Sequence, residues 1–250
     1  MLNLFIFSPT GNSKRVGLAF ANELNKDSRV IDLTKTHQSH LTFSPDDIVV
    51  VAGPVFGGRM PSLMLERLRT YPLAGNRVIT MVTYGNRAYE DALLELNDTV
   101  AKMGGLPVAS AALVASHSMV PAIAKDRPND VDLHNLKVFA RAVKQKLQAA
   151  SLSRIQVPGN FPYRSWTKAP MVPVIEGQCI KCGDCVRNCP AGAISSEDPT
   201  IIDEAKCILC MRCVSQCKQH ARVLPEPVRV MITKKLEPIA HVFKKDEFFV

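Results

Sequence analysis

Two rhythms alternate through the first part of the chain. Short, nearly unbroken apolar runs occupy Leu2–Phe7, Arg29–Leu33, Ile48–Ala52, Val78–Thr83 and Val108–Val114. They are rich in Val and Ile, the pattern of strands buried on both faces of a parallel sheet. Between them, apolar positions recur at helical spacing. Val16, Phe20 and Leu24 step by four. Tyr89, Leu93, Leu96, Val100 and Met103 step by four and three, and Gly104-Gly105 stops that helix. Leu136, Phe139, Val143 and Leu147 form the last stripe. Strands alternating with helices predict an α/β fold over residues 1–150, an open, doubly wound parallel sheet of these five strands. Ligands of such sheets bind beyond the carboxyl ends of the strands.

The rhythm breaks over residues 151–173. Pro158, Gly159, Pro162, Pro170 and Pro173 punctuate a stretch without a period, which reads as a linker. Part of it is expected to pack, because Phe161, Tyr163 and Trp166 are costly to leave fully exposed. Residues 174–226 contain an internal repeat. The tail, 227–250, alternates apolar and basic residues and predicts an added strand or small helix.

Composition narrows the compartment and the partners. No run reaches the roughly 18 apolar residues of a membrane span. The first apolar run stops at Phe7 and has no basic segment before it, so no secretory leader is read. The expectation is a cytoplasmic protein with reduced thiols. The eight cysteines then point to metal or redox work rather than disulfides. The formal net charge of +8 favours acidic partners. The basic residues are scattered and no nucleic-acid motif occurs, so nucleic acid is not expected.

All eight cysteines fall in the repeat. Cys179, Cys182, Cys185 and Cys189 form a C-x2-C-x2-C-x3-C run. Cys207, Cys210, Cys213 and Cys217 repeat it 28 residues later. Ile180 answers to Ile208, Val186 to Val214 and Ala193 to Ala221. Structural zinc sites use two CxxC pairs, not two runs of four. The doubled run resembles bacterial two-cluster ferredoxins, small α+β domains whose fourth cysteine ligates the other cluster. That resemblance implies two [4Fe–4S] clusters. One takes Cys179, Cys182, Cys185 and Cys217; the other takes Cys207, Cys210, Cys213 and Cys189. Pro190 follows the first run as the family pattern expects. Lys218 stands where a second proline is usual, and a cation there is expected to raise the potential of the first cluster.

One more motif lies at the other end of the chain. The first apolar run ends in Ser8-Pro9-Thr10-Gly11-Asn12-Ser13, and a helix pattern follows. Neither G-x-G-x-x-G nor G-x-x-x-x-G-K-[ST] is present there. Hydroxyls, an amide and helix-start N–H groups suit a phosphate dianion. The turn resembles the phosphate loop of flavodoxins. Two further loops lie where the flavin-flanking loops of that family belong. One holds Pro54, Phe56, Gly57 and Gly58; the other holds Tyr84, Gly85, Asn86 and Tyr89. The resemblance implies FMN held by Ser8, Thr10, Gly11, Asn12 and Ser13, with aromatic faces for the ring and glycines for close backbone approach. Core packing is the other reading of Phe56, Tyr84 and Tyr89.

The whole chain thus resembles flavodoxin-like–ferredoxin fusion proteins. Such a fusion implies an electron-transfer iron–sulfur flavoprotein coupling one-electron and two-electron redox partner proteins. The alternative is a flavin-dependent reductase fed through the clusters, with a quinone, nitroaromatic or tetrapyrrole-like acceptor. Arg59 and Arg87 would then hold an anionic substrate, against the simpler reading of surface charge. No catalytic acid or base is singled out. His37 and His40 flank a loop, His117 and His134 show no ligand spacing, and His220, just after the second cysteine run, reads as a cover over the first cluster.

Overall fold

Each apolar run folds as a strand of one sheet. In a computed structural model describing residues 1–25, 27–35 and 41–250, these strands are β1 (Leu2–Ile6), β2 (Ser28–Asp32), β3 (Ile48–Pro54), β4 (Arg77–Tyr84) and β5 (Leu106–Val114). His37 and His40 lie outside the described residues. The helices between them are α1 (Asn12–Leu24), α2 (Ser62–Leu68) and α3 (Ala92–Lys102), and α4 (Asp130–Lys146) follows β5. The strands pair in parallel, in the order β2-β1-β3-β4-β5. This is the flavodoxin-like order, with a topological switch at β1/β3.

Helices cover both faces of the sheet. One core joins Phe5, Val49 and Val82 to Met64 and Leu68 of α2 and to Leu93 and Leu96 of α3. The other joins Leu4, Val50 and Ile79 to Val16 and Phe20 of α1 and to Phe139 and Val143 of α4. The stripes along α1, α3 and α4 therefore face the sheet, as their spacing requires. Tyr89 lies in the turn before α3 rather than on it. β2 departs from expectation: it is an edge strand, and Val30 faces solvent.

The cysteine repeat folds into a small unit of β6 (Val174–Ile175), α5 (Asp184–Asn188), α6 (Arg212–Ser215) and β7 (Arg222–Val223). β6 and β7 pair antiparallel. The tail forms both candidate elements, a helix α7 (Glu226–Ala240) and a strand β8 (Glu247–Phe249). β8 pairs antiparallel with β5 and makes the sheet six-stranded.

Residues 151–173 are irregular but strapped to the sheet domain. The Ile155 amide donates to the Pro107 carbonyl at 2.8 Å. Asp98 accepts from the Tyr163 hydroxyl and pairs with Arg154. The buried Asp91 accepts from the backbone N–H groups of Asn160 and Arg164 at 2.8 and 2.7 Å. Phe161 remains exposed. Among the described residues, no helix is long and apolar enough to cross a membrane.

Candidate functional site

The two cysteine runs bend in the same way. Lys181 and Gly183 in the first run have φ of +53° and +75°; their repeat mates Leu209 and Met211 have +52° and +62°. Left-handed residues in alternation coil the chain around its own concave side, where backbone N–H groups face inward. The Leu209 N–H faces the Cys207 sulfur and the Arg212 N–H faces Cys210. Cys217 receives N–H groups from Arg222, Ala221 and Gln219.

The thiols sort into two cavities. The larger, of about 210 Å³, is lined by Cys179, Cys182, Cys185 and Cys217. The smaller, of about 20 Å³, is lined by Cys189, Cys207, Cys210 and Cys213. Each run thus contributes three cysteines to one cavity and its fourth to the other. The first cavity opens outward, with Cys182 exposed. The second is deep: burial pushes the Cys210 and Cys213 thiols up to about 12. Burial also raises Cys207, whereas at Cys217 the inward N–H groups outweigh burial and hold the thiol below its ordinary range. All eight thiols are unpaired. Four soft sulfur donors line each hollow, the donor set of an iron–sulfur cluster; the inner hollow, at about 20 Å³, must widen to admit one.

The turn after β1 is built as a cradle. Gly11 caps α1 at φ +99°. The Ser8 hydroxyl accepts from the Lys14 N–H at 2.9 Å, and the Ser8 N–H donates to the Thr34 hydroxyl at 2.7 Å. The remaining N–H groups of the first helical turn have no intrahelical acceptor. Ser13 bonds the Thr83 hydroxyl at 2.7 Å, and the Asn12 amide donates to the Ser116 carbonyl at 3.3 Å. Ser8, Thr10, Asn12 and Ser13 share a narrow cavity of about 40 Å³ with Pro54, Phe56, Tyr84 and Gly85. A hollow of about 440 Å³ lies on the other side of the turn, where Gly11 and Lys14 face Arg212.

Other expected residues have other neighbours. A side chain on Gly57 would strike Trp166, on Gly58 would strike Glu90 and Arg164, and on Gly85 would strike His117. The space these glycines leave is thus filled by the protein itself. Asn86 donates to the Ile239 and Val242 carbonyls at 2.9 and 2.8 Å, and the Tyr89 hydroxyl donates to Glu247 at 2.8 Å. Both serve to hold the C-terminal tail. Arg59 is spent on Glu95, with bonds of 2.8 and 2.6 Å, and Arg87 on Glu90, with 2.9 and 2.6 Å. Neither guanidinium is offered to a substrate.

The sequence reading missed the contacts between the two halves. Cys210 lines the narrow cavity of the turn as well as its own thiol cavity. Arg212 donates to the Pro9 carbonyl at 3.1 Å and to Ser8 at 3.4 Å. In return, Arg67 of α2 donates to the Pro190 carbonyl at 2.5 Å. The repeat held a signal for Arg212, since the matching position of the first run is Asp184.

Residues 178–222 match the model of a 4Fe-4S dicluster domain. The chain joins a sheet of flavodoxin-like strand order to a segment that matches a 4Fe-4S dicluster domain. Similar solved structures include a flavodoxin from the domain Archaea, at 19% identity and a TM-score of 0.43, covering 60% of this chain and 100% of that one. Another is a Fusobacterium nucleatum flavodoxin bound to flavin mononucleotide, at 14% and 0.41, covering 58% and 97%. A third is the rubredoxin oxygen:oxidoreductase of Desulfovibrio gigas, at 14% and 0.42, covering 60% and 37%. No curated protein matches the flavodoxin–dicluster chain.

Proposed function

We propose that this protein is an electron carrier that holds two [4Fe–4S] clusters and FMN and couples one-electron to two-electron redox partners. The observation that carries the reading is the position of Cys210, which borders both the inner thiol cavity and the cavity at the phosphate turn. Bound clusters supply single electrons, and a bound flavin accepts one or two.

Cys179, Cys182, Cys185 and Cys217 hold the outer cluster, and Cys189, Cys207, Cys210 and Cys213 the inner one. The outer set, with Cys182 at the surface, faces a protein partner. The net charge of +8 favours an acidic one. Ser8, Thr10, Gly11, Asn12 and Ser13 cradle the flavin phosphate. Phe56 and Tyr84 move aside for the ring, because about 40 Å³ does not hold it. The protein's contribution is to keep these sites adjacent and to exclude water between them.

Anaerobic purification followed by flavin, iron and acid-labile sulfide analysis tests this. The expected result is about one FMN and about eight irons per chain, as two Cys-ligated cubanes supply. Full iron without flavin, even after FMN is added, would reduce the sheet domain to a docking platform.

A further inference from the structure

Among the described residues, Arg222 is the largest fully buried side chain, at 1% exposure. It sits on β7, opposite Ile175 of β6. Among the described residues, no carboxylate pairs with it. Its Nη1 donates to the Pro173 carbonyl at 3.4 Å, and its Nη2 to the Pro199 carbonyl. Its Nε has no partner. Its Nη2 lies 3.9 Å from the Cys185 sulfur. The side chain also borders the outer cavity, with Cys179, Cys182 and Cys217.

A buried guanidinium without a counterion is strongly unfavourable. Two neutral carbonyls do not replace the charge of a carboxylate, and one donor is left over. The sulfur ring beside it supplies the missing negative charge once the thiols are ionised and bridged by a cluster. Four thiolates around an iron–sulfur core leave a net negative centre, and reduction makes it more negative.

The repeat makes the cavity walls asymmetric, although the guanidinium charge also reaches Cys207 and Cys213 of the inner cavity. The residue 28 positions before Arg222 is Ile194, which is also buried and borders the inner cavity. One cavity has an apolar wall where the other has a fixed cation. Lys218 borders the outer cavity too, but it is exposed and therefore screened.

We infer that Arg222 is the built-in counter-cation of the outer cluster, setting that cluster at a higher reduction potential than the inner one and making its loading a condition for the small domain to close. This rests on the cluster reading above. Two consequences have opposite signs. With clusters bound, Arg222 stabilises the site, most of all when it is reduced. Without them, it is a stranded charge that destabilises the same segment.

The test uses the full-length protein, wild type against Arg222→Met, which keeps bulk and removes charge, and Arg222→Lys, which keeps charge. Cluster potentials are measured by EPR-monitored redox titration. Amide exchange across residues 174–224 is measured after iron removal by a chelator. In Arg222→Met the outer cluster is expected to become at least tenfold harder to reduce, or 59 mV for a one-electron couple, or to be lost from the iron analysis. In Arg222→Lys most of the wild-type potential is retained. After iron removal, Arg222→Met is expected to be better protected from exchange than wild type. Unchanged potentials at full iron content would overturn the inference. So would a metal-free Arg222→Met less protected than metal-free wild type, because that marks a packing role. Wild type without [4Fe–4S] signals would instead sink the cluster reading itself.

Discussion

His117 packs on Gly85 and accepts the Met119 and Val120 N–H groups at Nδ1, both at 3.2 Å. Burial, with the nearby Arg87 charge, lowers its pKa from 6.5 to about 4. The unfolded chain therefore binds this proton near pH 6.5 while the folded chain resists it until about pH 4. Stability should fall as pH drops through that window. His117→Asn keeps an acceptor without the titration. Urea unfolding at pH 7 and pH 4.5 should show wild type losing on the order of 2 kcal/mol more than the variant. At this scale the sequence was legible only for the cysteines and the turn. Spacing encodes the thiol positions, because equal intervals set them at matching points of two loops that bend alike. A glycine encodes only room. What fills the room at Gly57, Gly58 and Gly85 comes from Trp166, Arg164, Glu90 and His117, and for Trp166 and Arg164 from far along the chain.

The strap over residues 151–173 depends on two carboxylates of the sheet domain. At Asp91, burial is outweighed by the Arg164 and Asn160 N–H groups; at Asp98, by the Tyr163 hydroxyl and Arg154. Both lie below the ordinary 3.8, so their contribution is complete above that value and lost as pH falls beneath it. Trp166 is the sole tryptophan, so its fluorescence reports the strap. Emission should hold steady from pH 7 to about pH 5 and shift only below the carboxylate range. Asp91→Ala strands two backbone donors and should cost about 2 kcal/mol or more by urea unfolding, with Trp166 emission moving at neutral pH. The tail is held as firmly. Arg127 bonds Asp132 at 2.6 Å and Asp246 at 3.1 Å, and Asp246 accepts from the Val114 N–H at 2.8 Å. The five parallel strands were legible because burial on both faces leaves continuous apolar runs. β8 was only half legible. Three residues of an antiparallel edge leave no period to read, and its anchors are single polar residues distant in sequence.

Across the whole molecule, Arg67 and Arg212 form a reciprocal latch, each donating to backbone carbonyls of the other half. Neither is a cluster ligand. The double variant Arg67→Ala, Arg212→Ala should keep its iron and lose about 1 kcal/mol for each bond set. On the electron-carrier reading proposed above, electron exchange between bound clusters and bound flavin, followed by stopped-flow absorbance, should slow at least tenfold, because the gap at Cys210 is no longer fixed. An unchanged rate would show that the apolar contact of Leu209, Met211 and Met119 positions the halves without the latch. This interface was not legible in the sequence, since the two halves read as separate domains.

The sixth strand has a consequence for how the protein is made. β5 is complete in the chain long before β8, and the dicluster unit lies between them. During synthesis the β5 edge therefore stands unpaired, a template for unwanted pairing. It is covered only after the cysteine segment has been produced and α7 has carried the chain back. Iron supply and edge protection thus fall in one temporal order. A nascent chain starved of iron should be caught with that edge bare, and iron-limited expression should yield aggregates rather than a free, folded sheet domain.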